Sequence, residues 1–148
     1  MLTYSNIVVG TDGSATSLRA VRTAASLARV YEARLIIVSA FFNHSSSMLG
    51  ATGSDNTGVP VISEDMAKDF LANALKVAEE EKADNVEIVG RPGDPVKALL
   101  AAGEDFDVDL FVVGNKGFNS MRGRVFGSVA KDLTRRAHVD VLVADTTD

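Results

Sequence analysis

Residues 108–128 read VDLFVVGNKGFNSMRGRVFGS. The apolar opening of this stretch is typical of a buried strand, and a loop with four glycines follows it directly. The next residues, SVAKDLTRRAH at 128–138, predict a helix, and VDVLVADT at 139–146 predicts another strand. Two strands joined through a helix indicate a parallel pair, because a parallel connection needs a long crossover.

The same alternation of strands and helices runs through the rest of the chain. Short β-branched or apolar runs predict strands at 5–11, 33–42 and 85–90. The remaining segments predict helices at 15–32 and 63–82 and a turn and helix at 91–106. Ser63 and Asp94 are predicted helix caps, and Pro95 suits the first helical position. The pattern predicts an α/β fold: a doubly wound, five-stranded parallel sheet of Rossmann-like type with helices on both faces.

The length and composition fit a single folded domain. With 148 residues, 46% of them apolar and 24% charged, the chain can bury one sizeable core. We therefore predict one domain over 1–148. Residues 43–60 are rich in Ser, Gly, Thr and Asn and have little to bury, so they are expected to form a flexible surface excursion.

The composition also excludes several classes of site. The absence of cysteine rules out disulfides, thiolate metal sites and thiol nucleophiles, and with only His44 and His138 available a structural zinc site is not expected. We assign neither histidine a role. The amino terminus lacks a signal-peptide pattern, and no apolar run approaches the ~20 residues of a membrane-spanning helix. We expect a cytoplasmic protein that does not bind membranes.

Charge is distributed unevenly along the chain. The net charge is −5, which disfavours binding to nucleic acid, yet the segment 115–136 holds six basic residues and one acidic residue. This segment is the one place attractive to an anion. The alternative is that its charges form a solvated basic helix face.

Two strands of the predicted sheet have ligand-like sequence where they end. The first is followed by GTDGS at 10–14, and the fourth is followed by the glycine-rich loop. Ligands of doubly wound sheets bind outside the carboxyl ends of the strands, where the winding direction reverses. We therefore predict that the first and fourth strands are neighbours at this reversal.

The glycine-rich loop has the features of a phosphate site. Gly114, Gly117 and Gly127 leave the backbone uncovered, so a ligand can approach it closely. Ser128 and Val129 begin the next helix, whose exposed N–H groups and dipole favour an anion. On the residues alone, the alternative stays open that Gly127 and Ser128 only turn the chain and cap that helix.

The spacing Gly114-x2-Gly117-x9-Gly127-Ser128 resembles the Gly-x2-Gly-x9-Gly-Ser/Thr pattern of the nucleotide-binding branch of the universal stress protein family. The resemblance covers nearly the whole chain, because NIVVGTDGS, GRPGDPVKALL and VDLFVVGNKG are similar to the family's first, third and fourth strands and the residues after them. It implies an adenine nucleotide alpha hydrolase-like fold, with ATP as the ligand and Mg²⁺ beside its phosphates.

The resemblance implies a role for residues at the ends of the first two strands. Gly10, Thr11 and Asp12 lie along the nucleoside, with Asp12 near the ribose or a phosphate-bound Mg²⁺, which makes it the candidate metal ligand. Ala40, at the end of the second strand, lies beside the adenine. Without the resemblance, Asp12 would be read as the cap of the helix that starts near Ser14 or as part of an Asp-Gly turn.

The resemblance also implies how the phosphates are held. Gly114 and Gly117 let the loop pass over the ribose and the phosphates. The start of the phosphate-binding helix consists of Gly127, Ser128 and Val129.

Three basic side chains of the loop, Lys116, Arg122 and Arg124, are candidates for a phosphate contact. The alternative for all three is a solvated loop charge. Asn115 and Lys116 depart from the family pattern, in which many members carry a small hydroxyl residue followed by His or Arg. This departure leaves the polarity beside the ribose open.

The predicted function is that of an ATP-binding universal stress protein, a nucleotide-dependent regulatory protein of the stress response whose protein partner the sequence does not identify. The alternative is a slow ATPase or a nucleotidyl transferase, in which Arg122 or Arg124 stabilises charge at the γ-phosphate. No obvious base stands beside the loop to position a water molecule. We therefore expect ATP turnover below the ~1 s⁻¹ of ordinary enzymes.

The last predicted strand indicates a homodimer. A strand of alternating Val and Leu at the sheet edge exposes unpaired backbone groups unless another chain covers them. Family members commonly pair through this strand, which here offers Val139, Val141, Leu142 and Val143. The alternative is an edge shielded by the chain's own tail, but the residues TTD that follow are few.

Overall fold

The computed structural model describes residues 2–42, 62–115 and 128–146 of the chain. Within these residues, strands and helices alternate as the sequence predicts. The elements are β1 (Asn6–Gly10), α1 (Ala15–Tyr31), β2 (Arg34–Phe41), α2 (Glu64–Glu80), β3 (Val86–Pro92), α3 (Pro95–Asp105), β4 (Leu110–Gly114), α4 (Ser128–Arg136) and β5 (Asp140–Ala144). The excursion predicted at 43–60 lies outside the described residues, and the assignment of one domain to 1–148 stays a prediction.

All five strands are parallel and lie in the order β3-β2-β1-β4-β5. The chain first builds the sheet outward from β1 through β2 to β3, then crosses back to place β4 on the other side of β1. This arrangement confirms that the first and fourth strands are neighbours at the reversal of winding. It also places β5 at an edge of the sheet.

The two faces of the sheet bury separate clusters of apolar side chains, because successive residues of a strand point to opposite sides. On one face, Val9 and Ile37 pack against α1 and α2. On the other face, Val8, Ile36 and Phe111 pack against α3 and α4. Helices therefore cover both faces, as the fold class predicts.

The predicted helix caps are confirmed. The Ser63 hydroxyl accepts a hydrogen bond from the Met66 backbone N–H at 3.1 Å, and Asp94 Oδ1 accepts one from the Lys97 N–H at 3.0 Å. Pro95 occupies the first turn of α3, where its missing N–H has no intrahelical partner to lose.

All four helices end one or two residues before the ends predicted from the sequence, and two of these ends have a clear backbone cause. Helix α1 stops at Tyr31 because Glu32 adopts a left-handed backbone with φ of 55°. Helix α2 stops at Glu80, and Lys82, the last residue of the predicted helix, has φ of 67°. Glu and Lys are good helix formers, so neither stop has a local signal in the sequence.

Helix α3 packs unusually close to β4 at Gly103. This residue is buried, and a Cβ atom added to it would lie 2.7 Å from both the Phe111 Cζ and the Val108 Cγ1 atoms. Real Cβ atoms do not approach neighbours this closely. Glycine at position 103 therefore sets the depth at which α3 sits on the sheet.

Candidate functional site

A cleft opens at the carboxyl ends of β1, β2 and β4, on the side of the sheet covered by α3 and α4. Six residues of the predicted site line it, and these are Gly10, Thr11, Asp12, Ala40, Gly114 and Val129. The fold thus brings together the ends of three strands and the start of α4, as expected for parallel strands that meet at one edge of the sheet.

Ser128 lies beside this cleft and not in its lining. It lines a neighbouring open groove between α3 and α4, together with Asp94 and Lys131. The other predicted site residues, Gly117, Arg122, Arg124 and Gly127, lie outside the described residues, as does Lys116. The binding roles assigned to all of these positions stay predictions.

One wall of the cleft is apolar. Leu99 and Ala98 of α3 form part of it, and both side chains are almost fully buried. Gly10 lies directly against Leu99, since a Cβ atom at position 10 would be 3.3 Å from Leu99 Cδ2. A flat apolar surface bounded by strand-end backbone is suited to an aromatic ring.

Hydroxyl groups crowd the opposite end of the cleft, where β1 turns into α1. The Thr11 and Ser17 hydroxyl oxygens lie 3.0 Å apart, and both residues line the cleft. The Thr11 hydroxyl also accepts a hydrogen bond from the Gly13 backbone N–H at 3.2 Å. These groups give the cleft a polar end facing its apolar wall.

Asp12 belongs to this polar end and also shapes the turn. Its Oδ1 atom accepts hydrogen bonds from the Ser14 N–H at 3.0 Å and from the Ser14 hydroxyl at 2.5 Å. Gly13 has φ of 84°, a left-handed conformation that favours glycine. The Asp-Gly turn considered from the sequence is therefore present, while the helix cap itself is Ser14, whose hydroxyl accepts from the Ser17 N–H at 3.1 Å.

Three helices begin at the cleft. Ser17 lies in the first turn of α1, Pro95 in the first turn of α3 and Val129 in the first turn of α4, and all three line the cleft. The start of a helix carries partial positive charge, although the Ser17 and Lys97 N–H groups of α1 and α3 already donate to the caps Ser14 and Asp94. Together with the apolar wall, these helix starts suit a ligand that combines a flat ring with an anionic group.

Basic residues of α4 are partly neutralised within the helix. Asp132 accepts a hydrogen bond from Arg135 at 2.5 Å and another from Arg136 at 3.2 Å. The hydrogen bond from Arg135, and then that from Arg136, holds the pKa of the Asp132 carboxyl below its usual range. All three side chains are partly exposed, so the alternative of a solvated basic face fits Arg135 and Arg136.

Several cleft residues were missed by sequence reasoning. They are Ser17, Val38, Ile62, Pro95, Ala98, Leu99 and Val113. Val113 directly precedes the end of β4 and Val38 lies three residues before the end of β2, so their place in the predicted sheet was a usable signal. The contribution of Ala98 and Leu99 depends on how α3 is rotated about its axis, which no local pattern specifies.

The described residues contain no helix long and apolar enough to span a bilayer.

Comparison with known proteins identifies the family. The sequence profile of the universal stress protein family matches residues 3–145. Universal stress protein Rv1636 of Mycobacterium tuberculosis strain H37Rv is 39% identical over 147 residues, which cover 99% of this chain and 100% of that protein. A solved structure of a universal stress protein in complex with cAMP is 34% identical, with a TM-score of 0.75, and the match covers 99% of this chain and 100% of that one.

A more distant structure shares the fold. The universal stress protein from Archaeoglobus fulgidus in complex with dAMP is 23% identical, with a TM-score of 0.69, over 96% of this chain and 98% of that one. The profile match and the full-length identity to Rv1636 do not depend on any single motif. The chain belongs to the universal stress protein family.

Proposed function

We propose that the protein binds an adenine nucleotide in the cleft at the ends of β1, β2 and β4, and that it acts as a nucleotide-dependent regulatory protein of the stress response. The observation that carries this proposal is the composition of the cleft. An apolar wall, a hydroxyl-rich end and the starts of three helices surround one space. Solved relatives in complex with cAMP and dAMP support an adenine nucleotide as the ligand.

In the proposed complex, the adenine lies against the apolar wall near Ala40 and Leu99. Adenine offers a flat face for these apolar groups, and the backbone at the strand ends can meet its polar edge. Gly10 leaves the room that the ring needs, since any side chain at this position would point at Leu99. The ribose then lies toward Thr11 and Asp12 at the polar end.

The phosphates are proposed to lie at the start of α4, where Val129 lines the cleft and Ser128 stands beside it. The predicted contributions of Gly127, Arg122 and Arg124 belong to this phosphate site. Asp12 is the proposed ligand for Mg²⁺, since magnesium in nucleotide sites is commonly held by one or two carboxylates plus phosphate oxygens. The described residues hold no group of three His, Cys, Asp or Glu that could bind a metal alone, so the phosphates would complete the coordination.

ATP is the nucleotide that we propose from the glycine spacing, and cAMP is the second candidate. The observation that favours cAMP is the complex of the 34% identical relative. The two ligands differ in charge, because ATP carries a triphosphate and cAMP a single phosphodiester. Only ATP would use an extended phosphate site with Mg²⁺.

We expect the purified protein to bind ATP more tightly than GTP. The exocyclic groups of guanine would put polar atoms against the wall formed by Ala40 and Leu99, where they would lose hydrogen bonds to water. Titration calorimetry with ATP, GTP and cAMP, each with and without Mg²⁺, measures the preference. Equal affinity for ATP and GTP would contradict the proposed adenine position. Tighter binding of cAMP than of ATP, unaffected by Mg²⁺, would make cAMP the ligand.

We further propose a homodimer that pairs through β5. Among the described residues, β5 pairs only with β4, and Val141, Leu142 and Val143 are half-buried at this edge. A second copy related by a two-fold axis would satisfy both edges at once. A protein partner that responds to nucleotide binding completes the proposed regulatory role.

Light scattering at micromolar concentration is expected to give about twice the subunit mass of 15.6 kDa. Leu142→Pro removes a backbone donor from β5 and should shift the protein toward the monomer, whereas Ile88→Pro, on the opposite edge strand β3, serves as the matched control. Circular dichroism establishes that both variants are folded. A wild-type mass of one subunit, or a folded Leu142→Pro variant that stays dimeric, would contradict the proposed dimer through β5.

A further inference from the structure

The side chain of Asn115, directly after β4, holds the residues that follow β5 through three hydrogen bonds. Asn115 Oδ1 accepts hydrogen bonds from the Thr146 backbone N–H at 3.0 Å and from the Thr146 hydroxyl at 2.9 Å. Asn115 Nδ2 donates to Asp145 Oδ1 at 3.1 Å, and the Asn115 backbone N–H donates to the Ala144 carbonyl at 2.9 Å. Thr146 is 1% exposed, although it stands two residues before the end of the sequence.

Thr146 also contacts α1. Its carbonyl oxygen accepts a long hydrogen bond, 3.5 Å, from Arg19 Nη1. Arg19 follows Ser17 by two residues on α1, and Ser17 lines the cleft. Asn115 directly follows Gly114, which lines the cleft from β4. Thr146 therefore connects two walls of the cleft, one built by α1 and the other by the end of β4.

The family resemblance left the polarity beside the ribose open at Asn115. In the structure Asn115 does not line the cleft, and its side chain binds Asp145 and Thr146. Thr146 is the buried member of this polar cluster, whereas Asn115 is half-buried and Asp145 is exposed. A polar cluster whose buried members are satisfied fixes one arrangement of the elements that it joins. Here the elements joined are α1, β4 and the residues after β5.

We propose that Asn115 is a positioning residue of the nucleotide cleft. It acts through Thr146 to hold the end of β4 at a fixed distance from the first turns of α1. This inference rests on the proposed function, because it concerns the affinity of that same cleft. Asn115 touches no nucleotide in this scheme. Without the Asn115 side chain, the two walls of the cleft sample a wider range of separations. The free energy needed to order these walls then reduces the net free energy of nucleotide binding.

The test compares the affinity for ATP, and for cAMP in parallel, among the wild type, Asn115→Ala and Thr146→Val, at a temperature where circular dichroism shows each protein folded. We expect both variants to bind roughly fivefold more weakly. The double variant should be little weaker than Asn115→Ala, since the one hydrogen bond between the two side chains is already lost in that variant. Thr146→Ser keeps the hydroxyl and should restore wild-type affinity, which a loss of apolar packing alone would not predict.

Asn85→Ala is the matched control, because Asn85 is an exposed asparagine next to β3 and away from the cleft. Wild-type affinity in folded Asn115→Ala would overturn the positioning role while leaving the proposed function intact. Additive losses in the double variant would also overturn it, because they would mean that the two residues act separately. If the wild type binds neither ATP nor cAMP, the proposed function fails and this inference fails with it.

Discussion

Gly10→Val is expected to lower the affinity for adenine nucleotide by roughly 100-fold while the protein stays folded. Gly10 ends β1 and lines the cleft, with a Cβ position only 3.3 Å from Leu99 Cδ2, another residue of the lining. Its backbone does not have the left-handed conformation that would demand glycine. Valine would add two methyl groups beyond this Cβ, against Leu99 and the neighbouring space proposed for the adenine ring. Titration calorimetry measures the loss.

Two further variants serve as comparisons for Gly10→Val. Gly10→Ala adds only the Cβ atom, which a small shift of Leu99 can accommodate, so its affinity should fall between those of the wild type and Gly10→Val. Gly90→Ala is the matched control, since Gly90 lies in the edge strand β3, where a Cβ would make ordinary contacts of 3.5 Å and longer. Normal binding by a folded Gly10→Val variant would contradict the proposed position of the adenine against this wall.

Gly103→Ala is expected to destabilise the protein by roughly 2 kcal/mol and to lower its Tm by about 5 °C. The new methyl group would lie 2.7 Å from Phe111 Cζ and from Val108 Cγ1, so α3 must move off the sheet or the ring must rotate. Alanine is the better helix former by about 1 kcal/mol, and this gain opposes the loss. The sign of the net change in the free energy of unfolding therefore shows whether packing or helix propensity dominates at this position. Thermal and urea unfolding measure it.

Gly90→Ala again provides the comparison, because it makes the same chemical change without a close contact. A Gly103→Ala variant as stable as the wild type would mean that α3 can shift at little cost. Nucleotide binding adds a second measurement. Ala98 and Leu99 lie on the same helix and line the cleft, so a shift of α3 should also weaken ATP binding.

Much of the fold could be predicted because its signals are local. Apolar runs of strand length lie between amphipathic segments, and Ser63 and Asp94 mark two helix starts through side chains that bind the first free N–H groups. The helix ends at Tyr31 and Glu80 were harder to predict from the sequence. They depend on the left-handed backbone of Glu32 and Lys82, residue types that do not normally indicate such a conformation.

The site could be predicted in part, for a geometric reason. Gly10 and Gly114 end their strands, and Ala40 is the last residue but one of β2. Parallel strands bring their ends to one edge, so sequence position alone places these residues together. The opposite wall is different, because Leu99 reaches the cleft through the rotation and depth of α3. The orientation of Asn115 was equally hidden, since its partner Thr146 belongs to a distant part of the sequence.

The central position of β1 has a consequence for synthesis of the chain. The β1 strand pairs with β2 on one side, but its other edge pairs with β4, which is made only after α3. An emerging chain can therefore assemble β1, β2 and β3 while the edge of β1 that later pairs with β4 remains open to other chains. The cleft lacks the wall contributed by Val113 and Gly114 during this interval. A nascent chain gains its complete ligand site only after most of its length has left the ribosome.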